Sequence, residues 1–270
     1  MPELTKIKGA KIIAIANQKG GVGKTTTSIN LSAALAEVGK KILVVDLDPQ
    51  GNSSTGLGIP PEERKFTTFE LLLDDIELEN VIQHTGVNNL SIIPATIDLS
   101  SADIELFSNE KRLFMLRNAL MQDSISSYDF DFIFIDCPPS LNLLTVNAMV
   151  AANSVLIPLQ SEFFALEGLS QLMLTIREIR TTANETLRIE GIIMTMFDAR
   201  NNLSLLVEED ARENLGDLVY KSIIPRNVRV SEAPSHSLSV LSYDPSSKGA
   251  QAYRDLAKEF LKNNQMISIT

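Results

Sequence analysis

Short apolar runs alternate with helix-like segments along nearly the whole of this 270-residue chain. The runs are continuously apolar and rich in β-branched residues, which is typical of strands buried on both faces of a parallel sheet. They occupy residues 11–17, 40–48, 89–95, 131–137, 154–160, 188–197 and 218–225. The helix-like segments occupy residues 24–38, 101–122, 143–152, 165–183, 203–215 and 247–262. This alternation predicts an α/β fold, a mostly parallel, twisted sheet with helices on both faces.

No repeat, low-complexity tract or Pro/Gly-rich linker divides the chain. A length of 270 residues suits one large α/β domain or two small ones, and the continuous alternation favours one. We therefore expect a single domain over residues 1–270. It would carry a short N-terminal extension, residues 1–10, and a C-terminal tail, residues 263–270.

Composition limits the environment of the protein. The chain is 44% hydrophobic and 21% charged, and its single cysteine, Cys137, cannot form an internal disulfide, which favours a reducing compartment. The N-terminus has no apolar core of signal-peptide length. Residues 137–161 lack charged side chains, but they contain three prolines and three asparagines, which argue against a membrane helix. We expect a cytoplasmic protein with no membrane span.

The formal net charge is −10, and the charge is unevenly distributed. Residues 62–130 carry 13 acids and 5 bases, whereas residues 221–262 carry 7 bases and 4 acids. This pattern fits two ordinary solvated surfaces as well as it fits a local basic face.

The stretch NQKGGVGKTTT, residues 17–27, lies between the first apolar run and the first helix-like segment. A Gly-rich turn between a strand and a helix N-terminus is an anion site. The dinucleotide pattern G-x-G-x-x-G fails because Thr26 occupies the third glycine position. The P-loop pattern G-x-x-x-x-G-K-[ST] matches Gly23, Lys24 and Thr25 but has Gln18 in place of its first glycine. The chemistry of a phosphate site is nevertheless present, with Lys19 as a second lysine.

Aspartates end two of the predicted strands. DLDPQG brings Asp46 and Asp48 to the end of the second run, and FIFIDCPPS brings Asp136 to the end of the fourth. Ligands of open α/β sheets bind outside the carboxyl ends of the strands. An acid at this position holds Mg²⁺ in P-loop proteins, and Asp136 fits this Walker B role.

Several long motifs in the same order resemble one family. They are KGGVGKTT, VDLDPQGNSSTGLG, DFIFIDCPPSLNLLTVNA, PLQSEFFALEGLSQL and IPRNVRVSEAPSHSLSVLSYDPSSKGAQAY. Together they resemble the ParA family, specifically its short, Soj-like chromosome-partitioning ATPases, over residues 10–262. This family has a deviant Walker A loop, K-G-G-x-G-K-[ST], within the P-loop NTPase fold, so the resemblance explains the departure at Gln18.

The resemblance implies roles for individual residues. Two monomers would close face to face on two ATP molecules, and Lys19 would reach the phosphates bound by the partner. Asp48 would orient the attacking water, Thr25 and Asp136 would organise Mg²⁺, and Asp46 would support them. The nucleotide contacts would come from Lys19, Gly20, Gly21, Val22, Gly23, Lys24, Thr25 and Thr26, with Pro225 and Asn227 beside the adenine.

The resemblance also implies partners. The ATP-bound homodimer would bind double-stranded DNA without sequence preference and associate with the nucleoid. Slow hydrolysis, stimulated by a ParB-type centromere-binding protein, would then release it. Arg200 and Arg229 are the first candidates for DNA contacts, and Arg226, Lys248 and Lys258 follow them.

Three relatives on the same fold are alternatives. A MinD-like membrane-placement ATPase needs a basic amphipathic C-terminal helix, whereas this chain ends in the uncharged segment NNQMISIT. An iron–sulfur reductase needs cysteine ligands for a cluster, and Cys137 stands alone. A small-molecule amidating or ligating enzyme stays a possible alternative. A small metabolite would stimulate ATP hydrolysis by such an enzyme, whereas DNA and a partner protein would stimulate a partitioning ATPase.

Overall fold

A computed structural model describes residues 10–74, 76–106, 109–122, 125, 127–162 and 165–267. Residues 1–9 of the expected N-terminal extension lie outside this part of the chain. The strands are β1 (Lys11–Ile15), β2 (Ile42–Asp46), β3 (Gln83–His84), β4 (Leu90–Ile93), β5 (Phe132–Asp136), β6 (Ser154–Gln160) and β7 (Arg188–Thr195). The α-helices are α1 (Lys24–Glu37), α2 (Asn52–Gly56), α3 (Thr68–Leu73), α4 (Leu78–Val81), α5 (Ala102–Glu105), α6 (Met115–Leu120), α7 (Leu143–Ala151), α8 (Ala165–Thr182), α9 (Asn202–Leu215), α10 (Val228–Glu232), α11 (Val240–Tyr243) and α12 (Lys248–Ile267).

The strands form one seven-stranded sheet in the order β3-β4-β2-β5-β1-β6-β7. Every described pairing is parallel except the one between β3 and β4. Strand β1 lies between β5 and β6, so the loop that follows it is flanked by the ends of both neighbours. This order confirms the mostly parallel α/β sheet predicted from the alternation.

Helices cover both faces of the sheet. Successive residues of each strand point to opposite faces, so each strand contributes to two apolar clusters. Ile133 and Ile135 of β5 join one buried apolar cluster, to which α3, α7 and α8 contribute. Phe132 and Phe134 join the other cluster, with α1 and α12. Both faces are therefore apolar, which explains why the strands appear in the sequence as unbroken apolar runs.

The predicted strand at 218–225 is wrong. This segment runs beside β7 but forms only isolated bridges, Ile192 with Val219 and Phe197 with Pro225. Between them, the backbone amides of Lys221 and Ser222 donate to the carboxylate of Glu259 on α12, each at 2.8 Å. A side chain from a distant helix thus takes hydrogen bonds that a strand ladder would need.

The predicted continuous helix at 101–122 is also wrong. The described residues form α5 and α6 with turns between them. Asn147 of α7 explains the start of α6, since its Nδ2 donates to the carbonyl of Arg112 at 2.7 Å and its Oδ1 accepts from the amide of Leu116 at 3.2 Å. The backbone before α6 is therefore held by a residue that lies far away in the sequence.

The predicted C-terminal tail begins too early, because α12 continues to Ile267. Asn264 accepts a hydrogen bond from Lys11 Nζ at 2.6 Å and donates one to Glu190 at 2.8 Å. These contacts tie the last turns of α12 to β1 and β7.

Candidate functional site

The Gly-rich loop between β1 and α1 has the backbone of an anion cradle. Gly21 and Gly23 have φ angles of 74° and 89°, in the left-handed region that favours glycine. No side chain caps α1, which begins directly after Gly23, so the first-turn amides face the loop without a side-chain acceptor among the described residues. The carbonyl of Val22 accepts a hydrogen bond from Thr195 at the end of β7, at 2.8 Å. The loop is therefore anchored to the end of β7.

Lys24 is the first residue of α1 and is almost fully buried, with 6% of its surface exposed. Its ammonium donates to the carbonyl of Lys19 at 3.1 Å and forms no ion pair with any residue that the structure describes. Burial lowers the pKa of Lys24, while the charges of Asp136 and Asp48 oppose this shift. A buried cation beside free amides fits an anionic phosphate group, which would supply the missing counter-charge.

Asp136 ends β5 next to this loop, and its side chain is fully buried. Its carboxylate accepts hydrogen bonds from Ser28 at 3.0 Å and Ser53 at 2.7 Å. The hydroxyl of Thr25 lies near this carboxylate and favours its charged form. Burial nevertheless raises the pKa of Asp136. The structure thus joins Thr25 and Asp136, the two residues predicted to organise Mg²⁺.

The protein supplies only part of a metal coordination shell. Among the described residues, no group of three or more His, Cys, Asp or Glu side chains could hold a metal ion. Magnesium usually keeps several waters and shares substrate phosphates with one or two protein ligands. The hydroxyl and carboxylate present here fit that arrangement and do not fit a cage made of protein ligands alone.

Asp48 follows β2 and is held by the residues around it. Its backbone amide donates to Asp46 Oδ1 at 3.2 Å, and its own Oδ1 accepts from the amide of Gln50 at 3.0 Å. Asp46 is fully buried and also accepts from the hydroxyl of Ser54 at 2.6 Å. Asp46 therefore positions the loop of Asp48, and the supporting role expected for it stays a prediction.

Arg64 forms the other side of the Asp48 loop. Its guanidinium donates to the carbonyls of Ile59 and Ala95, each at 3.0 Å, and to the hydroxyl of Thr55 at 2.7 Å. Gly51, with φ of 61°, packs so closely that a Cβ atom there would lie 2.3 Å from Arg64 Nη1. This packing keeps the backbone after Asp48 in one conformation.

Lys19 differs from Lys24 in exposure and in partner. Its side chain is 39% exposed and forms an ion pair with Glu162, in the loop after β6. Its backbone amide donates to Asn17 Oδ1 at 3.0 Å, and Asn17 Nδ2 donates to the carbonyl of Pro158 at 2.7 Å. The backbone at Lys19 is thus anchored to β6, whereas its ammonium lies at the surface.

Comparison with known proteins identifies the family. The AAA domain family matches residues 10–189. The chain is 52% identical over 253 residues to the sporulation initiation inhibitor protein Soj of Bacillus subtilis, covering 94% of this chain and 99% of Soj. It is 50% identical over 255 residues to the chromosome partitioning protein ParA of Caulobacter vibrioides, covering 94% of this chain and 95% of that protein. The chain belongs to the ParA/Soj family of chromosome-partitioning ATPases.

A solved structure with a bound nucleotide has the same fold. The cobyrinic acid a,c-diamide synthase of Mycobacterium smegmatis, with a bound ATP analogue and magnesium, matches with a TM-score of 0.82 and 37% identity over 94% of each chain. The ParA/Soj family and this likeness confirm three predictions from the sequence, namely the P-loop α/β fold, the ATPase activity, and ATP and Mg²⁺ as cofactors. The roles of individual residues stay predictions.

The two predicted adenine contacts of this ParA/Soj-family chain lie beside the end of β7. Pro225 bridges to Phe197, and the amide of Arg226 donates to the carbonyl of Phe197 at 3.0 Å. Asn227 caps α10, since its Oδ1 accepts from the amides of Arg229 and Val230 at 2.9 and 3.3 Å. Its side-chain oxygen is therefore occupied by these backbone amides, so an adenine at this position would contact the Nδ2 group.

The basic residues predicted to contact DNA are exposed, but three of them are paired with carboxylates. Arg200 makes two hydrogen bonds of 2.9 Å to Asp198, and these lower the pKa of Asp198 to about 2. Arg229 pairs with Glu232 at 2.9 Å, and Lys258 pairs with Asp255 at 3.1 Å. In the described part of the chain, Arg226 and Lys248 form no ion pair.

Some of these cations lie near one another in the fold. The N-terminus of α12, where Lys248 lies, packs against α10, because a Cβ atom at Gly249 would meet Val230. Arg226 lies within electrostatic reach of Asp198 and thus near Arg200. Lys258 lies ten residues further along α12, about 15 Å away by helical rise. The structure therefore groups Arg200 with Arg226 and Arg229 with Lys248, and separates Lys258.

Two other features concern membrane spans and the cysteine. Among the described residues, no helix combines the length and apolar character needed to cross a membrane. Cys137 is fully buried beside Asp136, and burial raises the pKa of its thiol. A buried, protonated thiol is a poor cluster ligand.

Sequence reasoning missed Ser28, Ser53 and Glu162. Ser28 follows Lys24 by four residues, so helical spacing would have placed both on one face of α1. Ser53, on α2, and Glu162, in the loop after β6, carry no local signal, because only the fold brings them to the site.

Proposed function

We propose that this ParA/Soj-family protein is a DNA-partitioning ATPase that acts as an ATP-bound sandwich dimer. The observation that carries the proposal is the contrast between two lysines of one loop. Lys24 is buried and has no carboxylate partner among the described residues, whereas Lys19 is at the surface and can be redirected. One lysine suits the phosphates of its own protomer, and the other suits the phosphates of a second protomer.

The hydrolytic site would use residues of one protomer for most of its chemistry. The amides of Gly20, Gly21, Val22 and Gly23 would bind the phosphates together with Lys24 and Thr26. Thr25 and Asp136 would hold Mg²⁺, which supplies positive charge to the phosphate oxygens when bound. Asp48, at the end of its braced loop, would accept a hydrogen bond from the attacking water and orient it.

Lys19 of the second protomer would add a positive charge from across the interface. Two nucleotide-loaded protomers repel each other through their phosphates, and a cation supplied in trans offsets this repulsion. The same charge would stabilise the transition state, as an arginine finger does. Pro225 and Asn227 would frame the adenine near the end of β7.

The dimer would bind DNA through paired basic surfaces. One protomer offers few cations for phosphate contacts, and the net charge of −10 opposes binding by a monomer. Dimerisation makes the second contact effectively intramolecular, which strengthens binding without any new type of contact. The candidates are Arg200, Arg226, Arg229, Lys248 and Lys258. Binding through phosphates alone would be independent of sequence and sensitive to salt.

A partner protein would complete the cycle. Slow hydrolysis, stimulated by a ParB-type centromere-binding protein, would release the dimer from DNA, so that ATP sets the lifetime of assembly. The expected location is the cytoplasm, on the nucleoid. The ParA and Soj proteins that resemble this chain over 94% of its length support this cycle.

DNA retention with ATP, with ADP and without nucleotide tests the proposal directly. We expect retention of duplex DNA with ATP alone, independent of sequence, together with a doubling of the mass in light scattering. Equal retention in all three conditions, or none in any, would contradict it.

A small-molecule amidating enzyme is the second candidate, favoured by the likeness to the cobyrinic acid a,c-diamide synthase. The identity to that enzyme is 37%, against 52% to Soj. Stimulation of ATP hydrolysis by DNA and a partner protein supports partitioning, whereas stimulation by an acidic metabolite and an ammonia donor supports amidation.

A further inference from the structure

The ion pair between Lys19 and Glu162 occupies the ammonium that the proposed function assigns to the second protomer. Both side chains are partly exposed, 39% for Lys19 and 46% for Glu162. Exposed ion pairs are weak and break readily, so this contact is suited to exchange with another anion.

The backbone around Lys19 does not need to move during such an exchange. Asn17 accepts the amide of Lys19 and donates to the carbonyl of Pro158 in β6, which fixes the base of the side chain. Rotation of the lysine side chain alone would then move its ammonium between Glu162 and a new anion.

Glu162 has a second cation nearby. It lines a cavity of about 270 Å³ together with Arg226, Met196 and Asp198. Because the Glu162 side chain is 46% exposed, water can solvate its carboxylate when Lys19 leaves, which limits the cost of breaking the pair.

We propose that Glu162 is a positioning residue that holds Lys19 within its own protomer and competes with the phosphates of the second protomer for it. This inference rests on the proposed sandwich dimer. The consequence is that dimerisation requires a higher protein concentration, because each protomer must release one ion pair before the two can close on ATP. Glu162 would thereby keep the nucleotide-loaded protein monomeric at low concentration.

Removal of the carboxylate should strengthen dimerisation. An exposed ion pair shifts an equilibrium by about 1.4- to 5-fold, so the removal of two such pairs should lower the dimer dissociation constant by about 2- to 25-fold. A gain of this kind cannot result from damage to the fold, and it should fade at high salt because the competing interaction is electrostatic.

The test uses Asp48→Ala protein, so that hydrolysis does not dissolve the dimer, and measures the ATP-dependent dissociation constant by analytical ultracentrifugation. Glu162→Gln is added to this background, and Glu167→Gln, which removes the same charge from an exposed site on α8, is the matched control. We expect tighter dimerisation with Glu162→Gln only, a smaller difference in about 0.5 M salt, where the screening length is only a few ångströms, and unchanged ATP affinity of the monomer.

Two results would overturn the inference. If Glu162→Gln dimerised like Glu167→Gln or more weakly while the Asp48→Ala parent dimerised with ATP, Glu162 would not compete for Lys19, and the proposed function would stand. If the parent itself did not dimerise with ATP, the sandwich dimer would fall and the inference with it.

Discussion

Asp46 and Asp136 lie directly opposite each other on the neighbouring strands β2 and β5, and both side chains are fully buried. The two carboxylates accept hydrogen bonds from different parts of the site. Asp46 binds the loop of Asp48, and Asp136 binds Ser28 and Ser53. The Gly-rich loop therefore lies beside two buried acids, of which Asp136 is the one predicted to organise Mg²⁺ and Asp46 supports the loop of Asp48.

This pair makes stability depend on pH. Burial raises the pKa of both carboxyl groups, and the charge of Asp136 raises that of Asp46 further. The folded state then binds more protons than the unfolded state above about pH 4, the ordinary pKa. The contribution of the pair to the free energy of unfolding is thus largest at low pH and falls as pH rises through the raised pKa values.

Asp46→Asn should remove part of this dependence. Relative to the parent, the variant should gain on the order of 1 kcal/mol in the free energy of unfolding between about pH 5 and pH 8. Urea unfolding at both pH values measures this difference. Asp217→Asn, at an exposed site, is the control, and an equal change in both variants would contradict the assignment to the buried pair.

Asp48→Ala should stop turnover and leave ATP binding intact. The substitution removes the group that orients water, but it leaves Lys24 and the loop amides in place. Hydrolysis should fall by about 100-fold or more, and the protein should accumulate as an ATP-bound dimer. Single-turnover assays and light scattering measure the two effects. Hydrolysis at the parent rate would exclude Asp48 as the water-orienting residue.

Lys19→Gln and Lys24→Gln should separate nucleotide binding from dimerisation. Removal of the buried Lys24 ammonium should weaken ATP binding by about 10- to 100-fold, because it takes away a charged hydrogen bond to phosphate. Removal of the Lys19 ammonium should preserve binding by the monomer and abolish ATP-dependent dimerisation. Calorimetry and size-exclusion chromatography with light scattering distinguish the two. Normal dimerisation of Lys19→Gln would return Lys19 to an ordinary surface residue.

Reversal of two arginine charges should weaken DNA binding and its salt dependence. Arg200→Glu with Arg229→Glu should lower the log–log salt slope by about 0.9 for each DNA phosphate that the variant no longer neutralises. Lys40→Glu with Lys41→Glu is the matched control, because these lysines are also paired with aspartates and precede β2 at the opposite edge of the sheet. ATP binding and dimerisation must first be shown for both proteins. Equal affinity and slope in the two double variants would exclude these arginines.

Gly51→Ala should destabilise the protein more than Gly39→Ala. Both glycines have positive φ angles, 61° and 87°, so each substitution costs on the order of 1 kcal/mol for backbone strain. A Cβ atom at Gly51 would also lie 2.8 Å from the Ala95 carbonyl and against Arg64, whereas Gly39 has open space. The overlap should add on the order of 1–3 kcal/mol. Thermal unfolding compares them, and equal destabilisation would contradict the packing argument.

Local patterns determined most of the fold and the centre of the site. Six of the predicted runs form strands, because buried parallel strands need continuous apolar sequence on both faces. The Gly-rich loop and Asp136 could be placed because a P-loop and the ends of parallel strands meet at one edge of the sheet. These features depend on neighbours in the sequence, so the sequence alone was sufficient for them.

Other features were decided only by tertiary structure. The segment 218–225 is not a strand because Glu259 of α12 binds its amides, and the helix predicted at 101–122 is broken where Asn147 of α7 binds the backbone. The pairing of Lys19 with Glu162 joins residues 143 positions apart. In each case a polar side chain from a distant element satisfies a group that local propensity assigns elsewhere. Such competition is settled by three-dimensional proximity, which no local pattern of residues encodes.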